Sequence, residues 1–285
     1  MQGDETLPTV ALHSMETGAD GPPLVFLHGV LRNGSCCTPM LAEFSVRHRV
    51  HALDLRGHGR SPGGDSYRVM DYLGDVVSYL RHHVPRPAIL YGHSLGAMLA
   101  AGAAAYAPEC VRGIVLEDPP FHTMGKRMRG TPLQDYFEGI RPFAGSSEPT
   151  GDLARQLSEV RVLSADKATR VPLGTLRDAT ALRFLASCLC HVRPEVLTPI
   201  IAGGWLDGYA MDEIFAGVRC PALLLQCDAA TGGMLTEEDA ERFASLAADC
   251  TRSYLKGVGH QAHWTQPGEV SRRTLEFLLS LEDMA

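Results

Sequence analysis

One pentapeptide constrains this chain more than any other: Gly92-His93-Ser94-Leu95-Gly96. It follows the short apolar run Ala88-Ile89-Leu90-Tyr91 and opens the alanine-rich stretch Leu95–Tyr106. A buried strand that turns at once into a helix leaves little room at the corner. Side chains two positions either side of the serine would collide, so both places hold glycine. The turn exposes the serine hydroxyl and sets the next backbone N–H beside any carbonyl that approaches it. The start of the helix adds partial positive charge at the same spot.

The rest of the chain supplies a frame for such a corner. Pro23–Leu27, Arg49–Leu55, Ala88–Tyr91 and Val111–Glu117 read as strands. Tyr67–His83 carries apolar residues at helical spacing. Strand and helix in alternation predict an α/β fold, a mostly parallel central sheet with helices on both faces. After Asp118-Pro119-Pro120 the rhythm stops. Residues 121–216 show no β-branched run and are expected to be helical, with Asp152–Leu163 and Leu176–Cys190 among the helices. The rhythm returns with the strand Ala222–Gln226, a helix Thr236–Ala247 opened by a threonine cap, the strand Thr251–Lys256 and the helix Gly268–Leu281. At 285 residues, length alone suggests about two domains. The pattern predicts instead one core, 1–120 with 217–285, interrupted by a helical insertion at 121–216.

Composition excludes several classes. Apolar residues make up 45% and charged residues 21%, as in globular proteins, and the net charge of −7 with no basic run argues against nucleic acid. No apolar run reaches about 18 residues, so no membrane span is expected. The opening MQGDETLPTV has neither a basic nor an apolar region, so no secretory leader is expected. Eight scattered cysteines suit a reducing cytoplasm better than a disulfide scaffold. Cys188, Cys190 and His191 lack a second ligand pair at zinc spacing and read as apolar packing, so no metal is expected. His82 and His83, at a helix end, read as solvated.

Taken with three further pieces, the pentapeptide resembles a known family. His28-Gly29-Val30 is similar to its HG-x oxyanion motif, Asp54–Ser61 (DLRGHGRS) to its D-x-x-G-x-G-x-S loop, and Gly259-His260 to its catalytic GH. In this order, they make the chain resemble a lidded α/β-hydrolase from about residue 8 onward. The resemblance implies the α/β-hydrolase fold, with 121–216 as a lid over the strand ends. It implies Ser94 as nucleophile and His260 as base, in the family order of serine, acid, histidine. Oxyanion donors would be the amides of Val30 and Leu95. His28 would shape that loop and border the pocket, His93 would pack, and His263 would sit at the rim.

Two carboxylates compete for the acid. Asp228 follows Leu224–Cys227, where most of the family carries it, but it stands two residues early for the usual G-x-x-D spacing. Asp118 ends the strand Val111–Glu117, 24 residues after Ser94. Some branches, including haloalkane and fluoroacetate dehalogenases and a zearalenone-type lactonase, place the acid there. Asp118 is preferred and Asp228 is the alternative. Glu117 should alternate to the opposite side.

The insertion is rich in aromatic residues, and Phe121 and Trp205 are the expected pocket walls. The expected activity is that of a serine hydrolase, acting through an acyl-enzyme on an ester, lactone or thioester of a small apolar molecule. Serine at 94 gives no reason to expect a cofactor. Two alternatives stay open. Gly259–Trp264 (GHQAHW) faintly resembles carbon–carbon bond hydrolases of the diketone type, and the fold also serves non-hydrolytic ligand-binding and cyclisation proteins. The sequence carries no signature of an oligomeric state.

Overall fold

The computed structural model describes residues 9–164 and 167–282. The first eight residues, on which the leader expectation rests, lie outside them. Seven strands form one sheet: β1 (Ser14–Gly18), β2 (Pro23–Leu27), β3 (Arg49–Leu53), β4 (Ala88–His93), β5 (Val111–Glu117), β8 (Ala222–Cys227) and β9 (Cys250–Leu255). Their order across the sheet is β1-β3-β2-β4-β5-β8-β9. All neighbours run parallel except β1, which pairs antiparallel with β3 at the edge. β6 (Arg161–Leu163) and β7 (Arg170–Pro172) form a separate antiparallel hairpin.

The helices are α1 (Thr38–Phe44), α2 (Val69–His83), α3 (Leu95–Tyr106), α4 (Pro132–Ile140), α5 (Thr150–Glu159), α6 (Ala179–Leu189), α7 (Leu197–Ala202), α8 (Met211–Gly217), α9 (Glu237–Leu246), α10 (Ala262–Thr265) and α11 (Pro267–Glu282). Among the described residues, none is long and apolar enough to cross a membrane.

The period of two within each strand divides the core. Val25 and Leu27 face α2 and α3, in a cluster with Leu90, Ile114, Leu116 and Leu224. Leu24 and Phe26 face the other way, in a cluster with Ile89, Tyr91, Val115, Leu223, α1 and α11. A strand covered on both faces must be apolar throughout, which is why β2, β4 and β8 read as unbroken apolar runs. Helix α3 is buried nearly all round. Its alanines let it lie close to the sheet, and its Gly102 receives Leu73 of α2.

Two sequence expectations fail here for visible reasons. The helix expected over Asp152–Leu163 stops at Glu159. Beyond it the chain is drawn into the β6–β7 hairpin, because Asp135 of α4 accepts the Leu163 amide (2.6 Å) and pairs with Arg170. β1 was not expected because SMETG is an exposed edge strand with no apolar alternation. The predicted caps are present: Thr236 accepts the Asp239 amide at 3.1 Å. Between β5 and β8 the elements α4–α7 and the hairpin pack on one another, whereas α8 contacts α3 and α9 beside the sheet.

Candidate active site

The strand ends of β4, β5, β8 and β9 meet at one edge of the sheet, and the corner after β4 is strained. Ser94 adopts φ 55°, ψ −116°, a left-handed backbone that side-chain-bearing residues rarely take. The glycines are sterically required. A Cβ on Gly92 would lie 2.2 Å from the Gly96 carbonyl oxygen, and one on Gly96 would lie 1.9 Å from that of Leu27. The Ser94 amide donates to the Glu117 carbonyl (2.9 Å), which ties the corner to the end of β5.

Asp118, also at positive φ (46°), is completely buried just past β5. Its Oδ1 accepts the amides of Cys227 (3.2 Å) and Leu235 (3.1 Å). Its Oδ2 accepts the Met234 amide (2.7 Å) and the Nδ1–H of His260 (2.6 Å). Four donors from two loops therefore orient one carboxylate. With Nδ1 donating to Asp118, the His260 Nε2 is left to exchange a proton. His260 keeps 17% side-chain exposure and lines, with Ser94, a cavity of about 440 Å³. Ser94 makes no side-chain hydrogen bond among the described residues, so its hydroxyl is uncommitted.

Asp228 does not join this group. Its carboxylate accepts the amides of Ala230 (2.9 Å) and Gly257 (2.8 Å), and those two bonds hold its pKa below the usual carboxylate value. It ties the loop after β8 to the loop after β9 and, among the described residues, makes no bond to His260.

Glu117 lies on the opposite side of the β5 end, as alternation demands. It accepts the amide (3.0 Å) and Nδ1–H (2.9 Å) of His263 and the hydroxyl of Tyr91 (2.5 Å). Burial pushes its pKa up, but the charges and hydrogen bonds of this pocket, His263 first, outweigh burial and hold it at about 2. His263, expected at the rim, is only 6% exposed. The short helix α10 turns both its amide and its ring onto Glu117. His93 sits between the two pairs, with ring centroids 4.7 Å from both His260 and His263. Its Nε2 donates to the His260 carbonyl (2.8 Å), and burial holds its pKa well below the ordinary value. His93, Glu117 and His263 bring three ligand-type atoms within 4.8 Å of one another. The Glu117 carboxylate in that group is already engaged by Tyr91 and His263.

The loop after β2 is braced by two neutral histidines. His28 donates from Nδ1 to the Gly29 carbonyl (2.8 Å) and accepts the Leu55 amide at Nε2 (2.9 Å). His58 accepts the Leu31 amide at Nε2 (3.3 Å) and donates to the Arg56 carbonyl (2.8 Å). Burial lowers their pKa values to about 4 and about 3, so both ring nitrogens keep these roles at neutral pH. His28 thus braces the loop and does not line the large cavity. The amides of Val30 and Leu95 meet no acceptor among the described residues.

Phe121 and Trp205, expected as pocket walls, are both core residues. Phe121 packs against Phe215 (4.6 Å between centroids) and Phe243 (6.0 Å). Its single 3-10 turn sends Phe121 down into the core and Met124 up to the cavity. Trp205 is 1% exposed, and its carbonyl accepts the first amide of α2. The cavity is walled instead by Met124, Leu133, Tyr136, Phe137, Val162 and Leu173. Arg32 and Arg177, which no motif singled out, also line it. Arg32 stands two residues past Val30, so a full charge between β2 and α1, in a loop with no carboxylate, was the available signal.

Among the cysteines, Cys188 is buried near Cys36, while Cys190 is half-buried and His191 lies exposed at a different surface hollow.

Known proteins resemble this chain over most of its length. A 2-(acetamidomethylene)succinate hydrolase of Mesorhizobium japonicum is 37% identical over 203 residues, covering 67% of this chain and 73% of its own. A pimeloyl-[acyl-carrier protein] methyl ester esterase of Yersinia pseudotuberculosis is 29% identical over 263 residues, covering 89% and 92%. Among solved structures, an E-2-(acetamidomethylene)succinate hydrolase superimposes with TM-score 0.74 at 21% identity, covering 94% of this chain and 95% of its own. The enol-lactonase of Burkholderia xenovorans gives 0.70 at 19%, covering 95% and 97%. These two likenesses establish the fold. The model of the alpha/beta hydrolase family matches residues 24–273, and the chain belongs to that family.

Proposed function

We propose that this hydrolase uses Ser94 as nucleophile, His260 as base and Asp118 as the acid that orients it, on a carboxylic ester, lactone or thioester. The observation that carries the reading is the 2.6 Å bond from His260 to a buried Asp118, with His260 and Ser94 lining the same cavity. A serine hydroxyl is a poor nucleophile until a base takes its proton. Ser94 Oγ attacks the carbonyl carbon while His260 Nε2 accepts the proton. Asp118 keeps Nδ1 protonated and stabilises the imidazolium. The amides of Val30 and Leu95 receive the oxyanion, each contributing about 3–4 kcal/mol to the transition state. His260 then protonates the leaving group, an acyl-enzyme forms, and water activated by the same ring releases the acid.

Residues 121–216 act as a lid that selects the substrate. The apolar walls from α4, β6 and the loop after β7 support an acyl chain as the body of that substrate. Relatives named for a methyl ester and for an acetamido-bearing succinate favour acyl chemistry over carbon–carbon cleavage.

Ser94→Ala tests the reading. It is expected to abolish turnover of small aryl esters and labelling by a fluorophosphonate. Undiminished labelling of that variant would remove Ser94 from the role.

A further inference from the structure

Arg32 is a buried cation without a counter-ion among the described residues. It is 7% exposed and lines the cavity with Ser94 and His260. Among the described residues its guanidinium donates to the Leu31 carbonyl (3.0 Å), lies over the Phe184 ring (5.4 Å) and meets no carboxylate. Four of its five N–H groups therefore have no acceptor. A guanidinium withdrawn from water is costly unless an anion pairs with it. Arg177, half-buried and also lining the cavity, repeats the pattern: it lies over the Tyr136 ring (5.4 Å) and has no acidic partner among the described residues. Among the described residues no aspartate or glutamate lines the cavity, although the chain carries a net charge of −7. Positive potential is thus concentrated in the cavity that also holds the nucleophile.

We infer that the substrate is an acyl compound bearing a free carboxylate, which the Arg32 guanidinium receives beside the reacting carbonyl. This rests on the serine-hydrolase reading above. The planar fork of arginine matches a carboxylate in two parallel hydrogen bonds, which a lysine cannot reproduce. The Phe184 ring holds the guanidinium plane before the substrate arrives, so little order is lost on binding. Arg177, on the same cavity, adds attraction, and the aliphatic part of the substrate lies against Leu133, Phe137 and Val162.

The test compares monoethyl and diethyl esters of succinic, glutaric and adipic acids. The wild-type enzyme is expected to prefer the best monoester by about tenfold or more in kcat/KM. Arg32→Gln is expected to lower that preference at least about tenfold, chiefly through KM, and Arg32→Lys to restore part of it. Equal turnover of both esters by the wild type, or an equal loss on both in Arg32→Gln, would overturn the inference. Calorimetric binding of free adipate and glutarate reads the same contact without turnover. Binding that Arg32→Gln leaves unweakened, or no binding by the wild type, contradicts the inference. Binding weakened in Arg32→Gln, in an enzyme that hydrolyses no ester, would support the anion site and count against the serine-hydrolase reading.

Discussion

Two neighbouring residues at the end of β5 each hold a histidine, and the contrast between the pairs separates chemistry from support. Asp118 and His260 face the cavity; Glu117 and His263 face away from it. Both carboxylates are completely buried and both bonds run to Nδ1, at 2.6 and 2.9 Å. They differ in what lies beyond the ring. His260 keeps a partly open edge toward Ser94's cavity, whereas His263 is enclosed, and Tyr91 closes the far side of Glu117. A carboxylate–histidine pair thus becomes a base only where a nucleophile and substrate can reach its other nitrogen. The buried pair keeps α10 folded against the sheet, and His93 transmits that order by gripping the His260 carbonyl.

The largest expected effect comes from removing the acid that faces the cavity. Asp118→Asn is expected to cut kcat by about 10³- to 10⁴-fold, because the amide no longer favours the productive tautomer. Asp228→Asn is expected to stay within about threefold of wild type, since its bonds to Ala230 and Gly257 hold backbone of the loops after β8 and β9 and do not reach His260. Steady-state kinetics on one aryl ester ranks them. A large loss in Asp228→Asn alone would reassign the acid.

The buried pair is expected to act on stability instead. Glu117 has its folded pKa lowered to about 2. A lowered carboxylate stabilises the fold above its unfolded pKa, near 4.5, and that stability fades as pH falls from there toward 2. Glu117→Gln should therefore cost about 2–3 kcal/mol at pH 7, with the difference from wild type shrinking below pH 4.5. Urea midpoints at pH 7, 5 and 3 measure it. A difference that does not change with pH would mean that the carboxylate charge contributes nothing.

Much of the fold could be read from the sequence because its strands are buried on both faces and its first helix after β4 is half alanine. The serine corner was equally legible, since Gly92 is dictated by a contact four residues away and Gly96 by the close approach of the corner to the end of β2. The hairpin at 161–172 was not, because long-range bonds from Asp135 end a helix whose own residues would have continued it. His263 was misplaced at the rim because nothing in GHQAHW tells which of two adjacent carboxylates each ring will meet. Phe121 and Trp205 were misplaced because aromatic content marks burial but not which side of a wall a ring occupies. Arg32 was overlooked because the oxyanion motif draws attention to backbone amides, while its meaning depends on a ring supplied 152 residues later by Phe184.

The central claim is that the cavity-facing pair, and not its buried twin, activates Ser94. The most direct measurement is the rate of fluorophosphonate labelling, with the adduct mapped by mass spectrometry, in wild type, His260→Gln and His263→Gln. The account predicts an adduct on Ser94, a rate lowered about a hundredfold or more in His260→Gln, and a loss of less than about tenfold in folded His263→Gln. An adduct on another residue, or two folded variants that lose the same rate, would contradict it.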